Sequence, residues 1–170
     1  NSTLTLSGAN TYTGLTTVNA GRLSINTIGN VNGGSSAIGN PSSVANGKIT
    51  MGIAANTGTL VYTGAGNSSD RTIQVGSGTA AADIGGATIQ NDGLGALTFT
   101  AANFNTAQTG VIATSPRVLT LQGANQLANT ITAIVQNNTV GASGTGAVAL
   151  TKNGTGRWIL SGANTYSGAT

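Results

Sequence analysis

Apolar residues alternate with threonine and serine along much of this chain. The clearest segments are Leu4-Thr5-Leu6, Leu23-Ser24-Ile25, Ile49-Thr50-Met51, Leu97-Thr98-Phe99 and Leu119-Thr120-Leu121. A period of two places successive side chains on opposite faces of an extended backbone, and β-branched threonine favours that backbone. A helical period is absent over most of the sequence. The pattern therefore predicts an ordered all-β protein rather than a low-complexity linker.

Five pairs of apolar residues, each pair two positions apart, are followed by a triplet of small residues. The triplets are Gly8-Ala9-Asn10, Gly64-Ala65-Gly66, Ala101-Ala102-Asn103, Gly123-Ala124-Asn125 and Gly162-Ala163-Asn164, at intervals of 56, 37, 22 and 39 residues. These intervals resemble multiples of about 19, and Leu23 follows Leu4 by 19 residues. Each short rung of a solenoid buries its apolar face only against its neighbours. We therefore predict a parallel β-solenoid of about 8 rungs of about 19 residues.

The repeat alignment assigns structural roles to a set of apolar, glycine and asparagine positions. These positions are Leu4, Leu6, Gly8, Asn10, Leu97, Phe99, Asn103, Leu119, Leu121, Gly123, Asn125, Trp158, Leu160, Gly162 and Asn164. The four asparagines share one repeat position, where an amide hydrogen-bonds to backbone or to a neighbouring asparagine. The alternative is that the four asparagines form a row that binds sugars. Tyr12 and Tyr166 also coincide, and either pack over a turn or stack on a glycan ring.

The composition restricts the chemistry. Charged residues make up 5% of the chain, which has no Glu, His or Cys, and whose acids are Asp70, Asp83 and Asp92. A net charge of +3 without clustering does not suit nucleic acid. Too few groups are present for acid–base catalysis, so we predict no catalytic residue, no cofactor and no metal. Asp70 and Arg71 are expected to form a surface charge pair. No apolar run is long enough for membrane insertion of this segment.

The segment Leu6–Gly14 recurs 154 residues later as Leu160–Gly168, with Ser167 in place of Thr13. The pattern Leu4-x-Leu6-x-Gly8-x-Asn10-Thr11-Tyr12-x-Gly14-x-Thr16-x-Val18-x-x-Gly21-x-Leu23 resembles the autotransporter-associated β-strand repeat of bacterial passenger domains. Residues 154–170 look like the same unit. The resemblance implies a right-handed parallel β-helix that is exported through an outer-membrane barrel and displayed at the cell surface.

These observations favour a single solenoid segment, residues 1–170, taken from a longer array. The expected function is structural, in a secreted bacterial surface protein that serves adhesion or aggregation. A self-assembling extracellular filament subunit is one alternative, and a glycan-active β-helix enzyme is a weaker one. The expected partners are neighbouring rungs, copies of the chain end to end, and host-surface or matrix glycans or proteins.

Overall fold

The computed structural model describes residues 2–76, 83–105, 116–140 and 144–170. The described elements are short strands and one four-residue helix, α1 (Val44–Gly47). The strands are β1 (Thr3–Leu6), β2 (Thr16–Val18), β3 (Gly21–Ile25), β4 (Ile49–Met51), β5 (Gly58–Tyr62), β6 (Asn67–Ser69), β7 (Ile73–Val75), β8 (Ala87–Asn91), β9 (Leu97–Phe99), β10 (Asn103–Phe104), β11 (Arg117–Gly123), β12 (Asn129–Ile131), β13 (Ile134–Val135), β14 (Asn138–Val140), β15 (Gly144–Gly146), β16 (Val148–Lys152) and β17 (Trp158–Leu160).

The strands stack in parallel on three faces. A six-stranded sheet has the order β1-β3-β5-β8-β11-β16, and a four-stranded sheet has the order β17-β12-β9-β6. The third face contains the sheet β2-β4-β7 and the pair β10-β13. The backbone N–H of Asn105, next to β10, donates to the Ile73 carbonyl oxygen in β7 and so connects the two parts. Strands β14 and β15 pair in antiparallel orientation. In each sheet, neighbouring parallel strands belong to successive turns of the chain, which passes over the other faces between them. This arrangement is a β-solenoid, as predicted.

The predicted rung length is wrong. One register column of the six-stranded sheet contains Leu4, Leu23, Leu60, Ile89, Leu121 and Lys152. Only its first step is 19 residues long, and the next four are 37, 29, 32 and 31. The first step crosses the third face alone, through β2, whereas a full circuit also passes the four-stranded sheet and its corners. The solenoid therefore has about 4 full turns rather than about 8 rungs.

The small triplets misled the alignment because they follow strands of two different sheets. Leu4, Leu6, Leu119 and Leu121 lie in the six-stranded sheet, but Leu97, Phe99, Trp158 and Leu160 lie in the four-stranded sheet. Both kinds of strand end at a crowded corner. A Cβ on Gly123 would lie 2.1 Å from the Asn91 carbonyl oxygen, and one on Gly162 would lie 2.4 Å from that of Ala133. A small residue therefore marks a corner, and the strands that the alignment placed together belong to two sheets.

The core is the column of inward side chains between turns. Leu60, Ile89 and Leu121 are register neighbours and are buried, and Phe99 meets Phe104 edge to face with ring centroids 5.4 Å apart. At the C-terminal end Trp158, Leu160 and Leu150 pack on this core but are only half-buried. Each turn thus depends on its neighbours for burial, as in other solenoids.

Candidate functional site

The three carboxylates connect turns of the solenoid instead of meeting at one site. Each accepts a backbone N–H from another turn: Asp70 from Val31 at 2.7 Å, Asp83 from Ala54 at 2.9 Å and Asp92 from Ala124 at 3.0 Å. Charge-assisted hydrogen bonds of this kind satisfy loop amides that would otherwise need water. The acids are therefore distributed among three corners.

Three of the four predicted asparagines bind backbone groups. Asn10 Nδ2 donates to the Ala37 carbonyl oxygen at 2.7 Å, and Asn125 Nδ2 donates to that of Gly93 at 2.7 Å. Asn164 Oδ1 accepts the Val135 N–H at 2.9 Å. Asn103 is half-buried at the start of β10. This use of the amides favours a structural role over a free row of sugar-binding groups.

A second set of asparagines, which the sequence did not single out, is fully buried. Asn91 Nδ2 donates to Asn129 Oδ1, which also accepts the Leu97 N–H at 2.9 Å. Asn129 Nδ2 donates to the Arg157 carbonyl oxygen at 2.9 Å. Asn91 occupies the register position of Tyr62 in the six-stranded sheet. These asparagines are polar residues at inward positions, and an inward position can be recognised only once the strand register is known.

Arg71 is not part of a surface charge pair, which corrects that prediction. Its side chain is 0% exposed, and its guanidinium donates to the carbonyl oxygens of Gly29, Ile38 and Gly39 at 2.9, 2.8 and 3.0 Å. Burial lowers the pKa of Arg71, while Tyr12 and Asp70 act in the opposite direction. The planar group with its several donors thus joins Gly29 to Ile38 and Gly39, within the excursion of residues 26–43.

The outward face of the six-stranded sheet is polar and bonded within itself. Arg22 Nη2 donates to Gln90 Oε1 at 3.0 Å, and Gln122 Nε2 donates to the same oxygen at 2.8 Å. Two exposed apolar side chains lie on successive corners, where Leu94 is 87% exposed and Leu127 is also exposed. These two corners touch, because Asn125 bonds to Gly93.

The two tyrosines lie over turns. Tyr12 and Thr16 share a hydrogen bond between hydroxyls at 3.2 Å, and Tyr166 and Thr170 share the equivalent bond at 2.9 Å. Tyr166 also packs on the core. Both observations favour the packing interpretation over an outward glycan-stacking ring.

Two further properties concern the described parts of the chain alone. Residues 2–76, 83–105, 116–140 and 144–170 contain no group of three or more His, Cys, Asp or Glu side chains that could hold a metal ion. The one described helix, α1, is too short to cross a membrane.

The N-terminal end of the solenoid is an open apolar groove. Leu4 and Leu15 line it and are 60% and 52% exposed, and Leu6 and Leu23 lie beside them. The groove has a volume of about 510 Å³. Leu4 and Leu23 are register partners in β1 and β3.

Fold and surface together define a parallel β-solenoid repeat protein whose polar groups hold its own turns together. Residues 1–25 and 150–170 match the family described as passenger-associated-transport-repeat. The chain carries this repeat of the autotransporter-associated family in both segments, which confirms the resemblance.

The similarity to one known protein extends over most of the chain. Over 160 residues, 93% of the chain, the sequence is 38% identical to the adhesin BmaC autotransporter of Brucella suis biovar 1 (strain 1330). The chain spans 4% of the length of that relative. No solved structure matches the chain.

Proposed function

We propose that this chain is a structural stretch of the passenger region of a cell-surface autotransporter adhesin. The observation that carries the proposal is the 38% identity to such an adhesin over 93% of the chain. The passenger-associated-transport-repeat at both ends points to the same class of protein. The segment lies outside the cell, as part of a surface-displayed solenoid.

The geometry suits a rigid spacer that also presents contact surfaces. Parallel strands stack about 4.8 Å apart along the axis, so each added turn extends the rod by that amount. Hydrogen bonds between turns involve asparagine, aspartate and backbone groups. We propose host-surface or matrix glycans or proteins as the adhesive partners, contacted through side chains that the solenoid does not use internally.

We infer that the role is structural rather than catalytic. The three carboxylates each accept a backbone N–H of another turn. A glycosidase needs two carboxyl groups that flank one bond. The acids of this chain are committed to separate corners and leave the enzyme alternative without a catalytic pair.

The test is a bead-binding assay with the purified chain. Beads that carry the folded chain are expected to bind cultured animal cells more than beads that carry the heat-denatured chain. The double variant Leu94→Ser with Leu127→Ser removes the two adjacent apolar groups and is expected to reduce binding. Val44→Ser is the matched control, because Val44 is an exposed apolar residue outside these two corners.

The outcomes separate the adhesive and spacer roles. Equal binding by folded and denatured chains would contradict an adhesive role for this stretch and leave it a spacer. Equal losses in the double variant and the control would contradict a specific role for the two corners. Release of oligosaccharides from a glycan panel would overturn the structural assignment.

A further inference from the structure

A polar cleft lies between two successive corners in the middle of the solenoid. It has a volume of about 290 Å³ and is formed by residues 70–72, which follow β6, and residues 100–103, which follow β9. The backbone N–H of Thr100 donates to the Ser69 carbonyl oxygen at 2.8 Å and joins the two corners. The turn after them is bonded to the Ala102 carbonyl oxygen, and the turn before them is bonded to the first corner. Turns of this chain therefore flank the cleft on both sides.

The Asp70 carboxylate is held in place with one oxygen left over. Its Oδ1 accepts the Val31 N–H at 2.7 Å, and its own backbone N–H donates to Asn30 Oδ1 at 3.1 Å. Among the described residues, no group donates to Asp70 Oδ2. Of the described side chains that line the cleft, that of Asp70 alone is charged. The cleft thus contains one fixed, negatively charged acceptor.

The Thr100 hydroxyl is unused at a position where the following turn uses a threonine to bond its neighbour. Phe99 and Ile131 are register partners, so Thr100 and Thr132 follow paired strand ends. Thr132 Oγ1 donates to the Phe99 carbonyl oxygen at 3.1 Å. Thr100 Oγ1 has no hydrogen-bond partner in the described part of the chain, and the residue is exposed at the cleft. Its hydroxyl is therefore available to a ligand.

The Asn103 amide and the Thr72 hydroxyl also line the cleft, and neither has a hydrogen-bond partner among the described residues. The repeat alignment grouped Asn103 with Asn10, Asn125 and Asn164, all of which bond to backbone groups. Asn103 is the exception, and it lies in the cleft. Polar groups that a native structure leaves unpaired need a partner, which is solvent or a ligand.

The mixture of donors and acceptors selects the class of ligand. A carboxylate only accepts, whereas hydroxyl and amide groups both donate and accept. A cationic ammonium group would leave the donors of Asn103 unmatched, and an anion would be repelled by Asp70. A sugar presents uncharged hydroxyls that donate and accept, and the apolar face of its ring suits the side chains of Ala101 and Ala102. The volume lies at the lower end of the range for ligand sites, about 300 Å³, which suits one sugar residue.

We propose that this cleft binds one neutral sugar residue of a glycan, a hexose or an N-acetylhexosamine. Sugar hydroxyls donate to Asp70 Oδ2 and exchange hydrogen bonds with Thr72, Thr100 and Asn103. The charge of Asp70 selects against uronic and sialic acids. The proposal rests on the proposed function, which includes glycans among the adhesive partners, and it adds the site and the class of sugar.

Nuclear magnetic resonance of the isotope-labelled chain, titrated with simple glycosides, tests both the binding and its place. The probes are the methyl glycosides of glucose, galactose, mannose and N-acetylglucosamine, with methyl glucuronide and methyl galacturonide as acidic counterparts. At least one neutral glycoside is expected to shift the backbone amide signals of residues 70–72 and 100–103, with a Kd of about 1 mM for so small a ligand. Both uronides are expected to bind at least about five-fold more weakly.

Three outcomes would overturn the proposal. The first is that no neutral glycoside shifts these signals up to its solubility limit. The second is that a uronide binds as tightly as the best neutral glycoside. The third is binding of Nα-acetyl-lysine methylamide in place of the sugars, which would indicate a protein partner that inserts a cationic side chain.

A matched pair of aspartate variants tests the charge. Asp70→Asn keeps an oxygen for the Val31 N–H but removes the charge from the cleft. The best neutral glycoside should then bind about five-fold more weakly, and the uronides should lose their disadvantage. Asp92→Asn makes the same change at another corner, where Asp92 accepts the Ala124 N–H, and should leave sugar binding unchanged. Equal effects of the two variants would contradict the assignment of Asp70.

A matched pair of threonine variants separates binding from folding. Thr100→Val should weaken sugar binding about five-fold, the effect of one hydrogen bond, without changing the melting temperature. Thr132→Val should lower the melting temperature and leave the affinity unchanged, because its hydroxyl bonds to Phe99. A loss of stability without a loss of binding in Thr100→Val would overturn its role as a sugar contact.

The titrations use no cells, so the cleft and the adhesive role fail separately. Sugar binding by a chain whose beads do not bind cells would support the cleft and contradict the adhesive role. Cell binding without any sugar binding would overturn the cleft and leave the proposed function intact. Val44, the control position of the bead assay, stands at the cleft, so a loss of cell binding that Val44→Ser shares with Asp70→Asn would place the cell contact there.

Discussion

Arg71 carries the most specific prediction about the stability of this solenoid. Its guanidinium is the only group that the described contacts assign to the Ile38 carbonyl oxygen, and it also bonds to Gly29 and Gly39. Arg71→Met keeps an apolar stem but leaves the Ile38 carbonyl oxygen without a donor, whereas Gly29 still accepts from Ser69 and Gly39 from Ser36. With about 1–3 kcal/mol for the one unsatisfied buried acceptor and about 0.5–1.5 kcal/mol for each of the two other hydrogen bonds lost, the free energy of unfolding should fall by about 3 kcal/mol. For a chain of this size that corresponds to a melting temperature lower by about 6–12 °C.

Two measurements check this loss and where it acts. Thermal unfolding followed by far-ultraviolet circular dichroism gives its size, and hydrogen exchange read by mass spectrometry gives its place, because residues 28–39 should lose protection first. Arg71→Lys keeps the charge but has a compact ammonium in place of the planar fork, so an intermediate loss is expected. Arg157→Met is the control, since Arg157 is exposed, and should change stability by less than about 0.5 kcal/mol. An unchanged melting temperature of Arg71→Met, with residues 28–39 still protected, would refute this role of the Arg71 guanidinium.

Three further variants test separate parts of the structure. Gly39→Ala places a Cβ 2.3 Å from the Tyr12 carbonyl oxygen at a φ of 76°, so it should destabilise the chain by about 1–3 kcal/mol. Gly14→Ala should be tolerated, because a Cβ there meets nothing within 4 Å, and melting curves that rank the two variants the other way would contradict the packing. Asn129→Ala leaves the buried Leu97 N–H and the partly buried Arg157 carbonyl oxygen without this partner, and should cost about 2–4 kcal/mol in chemical denaturation. An unchanged midpoint would count against the buried network. Burial raises the pKa of Tyr62 above its ordinary value of 10.0. The free energy of unfolding should therefore be unaffected by this group below pH 10.0 and fall as the pH rises through the folded-state pKa. Tyr62→Phe should lack this fall, and a parallel decline in both proteins would exclude Tyr62 as its source.

The local elements were accessible from the sequence, but their assembly was not. Alternation identified β1, β3, β4, β9 and β11, because one buried and one outward face suffice to impose a period of two. The pairing of Leu4 with Leu23 was also correct. The rung length failed because the 19-residue step from Leu4 to Leu23 crosses the third face alone, whereas later turns also pass the four-stranded sheet. Which face a strand joins leaves no trace in the alternation.

The candidate site residues divide in the same way. Asn10, Asn125 and Asn164 stood out because they follow glycine and alanine at strand ends, where an amide bonds locally. Arg71 and Asn129 gave no such signal. Their partners lie 33 and 32 residues away for the bonds to Ile38 and Leu97, so their burial depends on which turns stack together.

The sequence by itself determined a β-solenoid built from short alternating strands, with a motif that forms one local turn in both of its copies. The tertiary structure decided which sheet each copy joins: β1 lies in the six-stranded sheet and β17 in the four-stranded sheet, although Leu6–Gly14 and Leu160–Gly168 differ at one position. The physical reason is that a strand's local conformation follows from its own residues. Its place in a sheet follows from the edge that a neighbouring turn offers for pairing.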